Sequence, residues 1–135
     1  MATFRLEIIT PDRVVLDAEV RSVRLPGALG SFGVLPNHAR LVSELTVGAI
    51  HVTHENGDVE QVATAEGLVR VADNRVTVLA DAAERAEEID IERVQAAIER
   101  AKAHLAEAGA GGYEEAREAL RRAMTRLEVA RTKEE

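Results

Sequence analysis

Cysteine is absent, which excludes disulfide scaffolds, thiol catalysis and every Cys-ligated zinc or iron–sulfur site, and fits a reducing compartment. Aromatic residues are nearly absent too. Phe4, Phe32 and Tyr113 are the whole set, so the core must be aliphatic. Basic residues are outnumbered, 17 against 24 acidic, for a net charge of −7 and a pI near 5.2. Such a balance lacks the basic stripe on which nucleic-acid affinity rests, so no nucleic-acid partner is expected. No apolar run approaches the roughly 18 residues of a spanning helix, and the first residues lack a signal-peptide core. A soluble, untargeted chain is expected, one that meets a membrane only through partners.

Catalytic patterns are equally scarce. Gly27-x-x-Gly30-x-x-Gly33 has neither the spacing nor the Lys-Ser/Thr ending of a phosphate-binding loop, and reads as a tight, irregular loop. The histidines His38, His51, His54 and His104 form no HExxH pattern. His51 and His54 are three apart on a predicted strand and project to opposite faces, which suits a shared metal poorly. Ser31 and Ser43 lack a nucleophile-elbow context. Neither a catalytic residue nor a metal ligand is assigned.

What is present divides in two. Of 16 valines, 14 precede Asp81; of 23 alanines, 14 follow Ala80. Valine, stiff at χ1, suits pleated sheets, whereas alanine is the best helix former. In the first part apolar residues recur with period two: Phe4, Leu6 and Ile8 alternate with Arg5 and Glu7. Asn56-Gly57 between Ile50/Val52 and Val59/Val62 signals a hairpin, as does Asp73-Asn74 between Val71 and Val76. From Asp81 the period becomes helical. Val94, Ile98, Ala101, Leu105 and Ala108 form one seam, and Ala116, Leu120, Ala123, Leu127 and Ala130 another, with Gly109-Ala110-Gly111-Gly112 reversing the chain. The fold class is α+β: an N-terminal antiparallel β-sandwich over residues 1–83 and a C-terminal antiparallel two-helix hairpin over residues 84–135.

Five of the ten seam residues are alanine. Each buried large side chain contributes only about 1.5–3 kcal/mol, and isolated helices of this length are marginal in water. The hairpin must therefore dock on the sandwich, a partner or a ligand, and a weakly docked element is a natural switch.

Two groups of polar residues stand out. Arg117 and Arg121, and Arg122 and Arg126, are each four apart on the second helix, so each pair shares a face. They read either as a solvated face with intrahelical pairs such as Glu118–Arg122, or as a site for phosphate or an acidic surface. Asp90 reads as the N-cap of the first helix or as a first-turn acid favoured by the dipole. Arg93 stands where a capping box wants Glu or Gln, which leaves Asp90 room for a second duty.

The run Leu25-Pro26-Gly27-Ala28-Leu29-Gly30-Ser31-Phe32-Gly33-Val34-Leu35-Pro36-Asn37-His38-Ala39 closely resembles the ε subunit of F-type ATP synthase. The likeness continues through Glu66-Gly67-Leu68-Val69-Arg70-Val71, Val76-Thr77-Val78-Leu79-Ala80-Asp81 and Arg122-Ala123-Met124. It implies a ten-stranded sandwich followed by a helical hairpin, in a non-catalytic subunit of the central rotor. The sandwich would bind the γ subunit and rest on the c-ring, with the loop Gly30, Ser31, Phe32, Gly33, Val34, Leu35, Pro36, Asn37 and His38 facing the ring and the base of γ. Ser31 stands where many relatives carry Glu. The hairpin would either fold on the sandwich or extend along γ and block ATP hydrolysis, with Arg117, Arg121, Arg122 and Arg126 meeting acidic surfaces of the catalytic α/β subunits. No cofactor is required.

ATP is implied as a regulatory ligand, because some relatives bind it on the folded hairpin through Ile/Leu-Asp-x-x-Arg-Ala. Here Ile89, Asp90 and Arg93 match, and Val94 replaces the small Ala where close approach to the ligand is expected. Glu84, Arg100, Arg122 and Arg126 match further positions around the nucleotide. The implied location is peripheral, on the cytoplasmic face of a bacterial plasma membrane or the stromal face of a thylakoid. Two other readings stand beside this one: a stand-alone interaction module with a dimerising hairpin, and an enzyme acting through His38 or the Ser31 loop. The second lacks an acid–base pair or nucleophile constellation.

Overall fold

A computed structural model describes residues 2–109 and 111–134. Nine strands come first: β1 (Phe4–Ile9), β2 (Val14–Gly27), β3 (Gly30–Val34), β4 (Leu41–Leu45), β5 (Gly48–His54), β6 (Val59–Thr64), β7 (Gly67–Ala72), β8 (Arg75–Ala80) and β9 (Ala83–Arg85). A 3-10 turn (Ala86–Glu88), α1 (Ile91–Glu107), α2 (Tyr113–Arg131) and a last 3-10 turn (Thr132–Glu134) complete the described chain. Among the described residues nine strands stand where the resemblance implied ten. The 14-residue β2 runs on as one strand, paired with β1 through Val20, with β5 from Val20 to Arg24 across a register shift between Val20 and Ser22, and with β3 from Val23. That shift bends β2 so that it serves both layers, as a bulge does. One layer follows β1–β8–β7–β4, the other β2–β5–β6–β9.

Among the described residues the expected antiparallel pairing holds throughout except for β1 with β8, which run parallel. Six strands separate the two, ample for the long connection that parallel neighbours need. Between the layers lies the aliphatic core the composition demands. Phe4, Leu6, Ile8, Val20, Val23, Leu25, Ile50, Val52, Val62 and Val69 are buried there, on alternate positions of their strands.

Turn chemistry follows the residues closely. Asp73 and Asn74 both adopt positive φ (53° and 59°) and close β7 onto β8 as a two-residue turn matched to strand twist. Asn56-Gly57 makes a wider turn. The Asn56 side chain accepts from the Asp58 N–H at 2.9 Å, and Gly57 takes φ 93°. Gly67 has a packing reason instead: a Cβ there would lie 2.1 Å from the Leu79 carbonyl oxygen.

Two sequence-based boundaries move. The helical period does not begin at Asp81: residues 83–85 pair with β6 as its outer neighbour, so the chain stays on the sandwich past the expected domain limit at 83/84. The first helix starts only at Ile91, where the Asp90 carboxylate caps it by accepting from the Arg93 N–H at 3.2 Å. Within the expected reversal, Ala110 lies outside the described residues.

Candidate functional site: the seat of the hairpin

The hairpin lies on the outer face of β5 and β6. Ala49 and Ala63 are directly opposite each other in that ladder and point outward, giving α2 a flat seat. A second, smaller apolar cluster forms there from Ala63, Ala86, Ile89, Val94, Ile98, Ala123, Val129 and Ala130. The expected seams hold at Val94, Ile98, Ala101, Ala116, Ala123 and Ala130, all buried, while Leu105, Leu120 and Leu127 stay half-exposed. Val129, outside the seam, is fully buried because the end of α2 packs on the 3-10 turn and Ile89.

Ion pairs tie this thin interface down. Arg126 grips Glu84 of β9 in a two-pronged contact, Nε to Oε1 at 2.5 Å and the other prong at 3.3 Å. One turn back, Arg122 reaches Glu66, between β6 and β7, at 3.3 and 3.4 Å. The hydrogen bond from Arg122, with one from the backbone, holds the Glu66 carboxyl below its ordinary value of 4.5. The intrahelical pair Glu118–Arg122 expected from spacing does not form. Glu118 lies 3.9 Å from Arg121 instead, and Arg122 turns to the sandwich. Arg117 and Arg121 lie on the other side of α2: Arg117 neighbours Glu114 at 3.8 Å, and Arg121 reaches the Thr46 hydroxyl at 3.4 Å.

Beside these pairs a cleft opens between β9, the start of α1 and α2. Its inner part, about 330 Å³, is lined by Glu84, Glu88, Asp90, Arg93, Arg100 and Arg126. It shares Glu84, Arg100 and Arg126 with an adjoining cleft of about 900 Å³ that also has Arg122 and His104 on its wall. Six of the seven expected nucleotide residues therefore come together. Among the described residues, Arg93 and Arg100 make no ion pair, so two guanidiniums in the cleft are uncommitted. The seventh, Ile89, does not line it. It is a buried member of the apolar cluster. Val94 is also buried in that cluster and does not line the cleft, whose wall has Ala97.

The stretch Gly30–His38, expected as one loop, is half strand. Gly30–Val34 is β3, paired with β2 around the two-residue turn Ala28–Leu29, and Gly30 just after that turn takes φ 122°. Only Leu35–His38 is a loop, with the Asn37 N–H donating to the Asn74 side chain at 2.7 Å. Leu29 at the tip is fully exposed, and Leu35 largely so. Sequence reasoning missed Glu66 as a latch residue, and Arg13, Glu60, Arg85 and Lys133 altogether. Their partners lie 25 to 75 residues away, and no local spacing could announce them.

The architecture is thus of one class: a valine-rich β-sandwich carrying a two-helix hairpin on its outer face, over a cleft that mixes three arginines with three carboxylates. Residues 3–86 match the model for the ATP synthase delta/epsilon chain β-sandwich domain, and residues 87–131 that for its long α-helix domain. The chain belongs to the ATP synthase delta/epsilon chain family. It is 45% identical over 129 residues to the ATP synthase epsilon chain of Desulfitobacterium hafniense, covering 96% of this chain and 97% of the relative. Against that of Moorella thermoacetica it is 46% identical over 131 residues, 96% and 98% covered. A cryo-EM structure of the Euglena gracilis mitochondrial ATP synthase contains a chain with TM-score 0.82 and 27% identity, with 96% of this chain and 82% of that chain covered. The central stalk and c-ring of the Tetrahymena thermophila enzyme contain one at TM-score 0.54 and 12% identity, a likeness of fold. Among the described residues no helix is long and apolar enough to cross a membrane.

Proposed function

We propose that the chain is a rotor-stalk subunit whose sandwich joins γ to the c-ring and whose hairpin is a nucleotide-sensitive brake on ATP hydrolysis. The observation that carries the reading is the latch. The hairpin rests on an alanine seat and is held by Arg122–Glu66 and Arg126–Glu84, pairs that water can also satisfy. Surface pairs of this kind are worth about 0–1 kcal/mol each, so release is accessible. On leaving, α2 carries Arg122 and Arg126 away to join Arg117 and Arg121 as a basic helix fit for the acidic surfaces of the catalytic α/β subunits.

The sandwich has two surfaces for fixed partners. On the outer face of the first layer Val42, Leu68 and Leu79 are exposed, with Leu68 directly across from Leu79, an apolar patch of the kind that seats a protein. It serves as the γ seat in this reading. The β3 hairpin, with Leu29 and Leu35, meets the c-ring, and Ser31 offers that ring a hydroxyl rather than a charge. The complex then holds the chain peripherally on the cytoplasmic face of the membrane.

ATP is the regulatory ligand of this reading. Arg93 and Arg100 take its phosphates in the cleft, Arg126 and Glu84 bound the site, and binding holds the hairpin down. A ligand at a hundredfold excess over Kd adds about 2.7 kcal/mol to the state it binds. Calorimetry tests this: Arg93→Ala and Arg100→Ala, which sacrifice no ion pair, should weaken ATP binding tenfold or more. Unchanged affinity in both would remove the nucleotide from the account.

A further inference from the structure

The segment joining sandwich to hairpin is held from three sides, and the holds differ in kind. Arg13, after β1, donates to both oxygens of Glu88 at 2.6 and 3.0 Å and reaches the Ala83 carbonyl at 3.4 Å. Glu88 also accepts from the Arg85 N–H at 2.9 Å. On the far side, Glu60 of β6 takes both prongs of Arg85 at 2.9 and 3.0 Å and a hydrogen bond from His54. Burial works against charge on Glu60, but its bonds to Arg85 and His54 win and keep the carboxyl below its ordinary value. All of these partners belong to the sandwich or to the 3-10 turn itself. Beyond Glu88 the character changes. Ile89 and Asp90 are both extended (φ −85°, ψ 126° and φ −88°, ψ 108°), an unwound joint between the 3-10 turn and α1. The bond across that joint comes from the far end of the hairpin: the Lys133 ammonium donates to the Ile89 carbonyl at 2.6 Å.

We propose that the hairpin pivots at Ile89–Asp90, with the 3-10 turn Ala86–Glu88 clamped to the sandwich by Arg13 and Glu60, and that Lys133 on the Ile89 carbonyl is the clasp that opens when the hairpin leaves. The inference rests on the reading that the hairpin is released. It adds where the moving part begins and which side chain positions it. A charged donor on a carbonyl is among the stronger single hydrogen bonds, and this one ties the last turn of the chain to the first residue of the joint. Its loss frees both ends of the hairpin at once, while the clamp residues do not move.

Amide hydrogen exchange on the full chain, read by NMR, tests the clamp and the clasp separately. In the native protein the amides of α1 and α2 should exchange together, through an opening that leaves Ala65 (bonded to the Ala82 carbonyl) and Ile89 (bonded to the Ala86 carbonyl) protected. Lys133→Ala should speed exchange across both helices about five- to tenfold and leave Ala65 and Ile89 unchanged, and Lys133→Arg should restore the slow rate. The pivot is overturned if Ile89 exchanges with the helices. The clasp is overturned if Lys133→Ala leaves the helices unchanged. If the helices of the native chain open only with the sheet, the brake reading itself fails, an outcome distinct from a misplaced pivot.

Discussion

The two apolar clusters of this molecule differ in substance more than in size. Between the layers of the sandwich, large branched side chains from eight strands interlock, and Leu6, Ile8, Val20, Leu25, Ile50 and Val62 are sealed from water. Under the hairpin, half of the eight buried residues are alanine, and the fastening is left to two arginine–glutamate pairs, Arg122–Glu66 exposed and Arg126–Glu84 half-buried. Burial of branched side chains makes a part that stays put; small side chains and surface ion pairs make a part that can let go. In the proposed reading, stiffness and release fall to different stretches of one chain by composition.

The comparison breaks most visibly in the sandwich. Leu6→Ala should lower global stability by about 3 kcal/mol, seen as a shifted urea midpoint at unchanged slope. Gly67→Ala forces a methyl group against the Leu79 carbonyl and should cost about 2 kcal/mol, separating β7 from β8. In the hairpin cluster, Val129→Ala should cost about 1 kcal/mol and appear only as faster exchange in α1 and α2. A global shift as large as that of Leu6→Ala would merge the two regions into one cooperative unit.

Smaller still is the effect of the latch. Glu84→Gln should loosen the hairpin by about 0.5 kcal/mol and leave the urea midpoint alone. Acid should act in the same direction. The folded-state Glu66 carboxyl sits below its ordinary value of 4.5, so its contribution is present above that value and fades as pH falls through the depressed one. Helix protection factors, corrected for the slower intrinsic exchange in acid, should therefore fall below about pH 4.5, and Glu66→Gln should flatten that dependence.

Much of this was legible in the sequence. Valine and alanine separate the halves, period two and the 4-3 spacing give strands and helices, and the Asp73-Asn74 turn closes as its residues demand. Boundaries were less legible. Residues 83–85 carry no strand pattern of their own, and become β9 only because the edge of β6 offers them a partner. At the candidate site the residue set could be named, but not the duties. Ile89 and Val94 look like motif positions and prove to be packing, since which way a side chain points is decided by the sheet beneath the helix. Glu66, Glu60, Arg13 and Lys133 act through partners far along the chain, and that information exists only after folding.

The central claim is that the sandwich is the fixed part and the hairpin the releasable brake. The absence of cysteine gives a clean background for a direct test: Glu66→Cys and Arg122→Cys introduced together and bridged by a short bis-maleimide across the latch. ATP hydrolysis by the catalytic head would be measured with the bridged and the unbridged chain. The account predicts that the unbridged chain slows hydrolysis, the bridged chain does not, and both bind γ alike. Equal inhibition by the bridged chain would contradict it, since a hairpin pinned to the sandwich would then be braking the motor without being released.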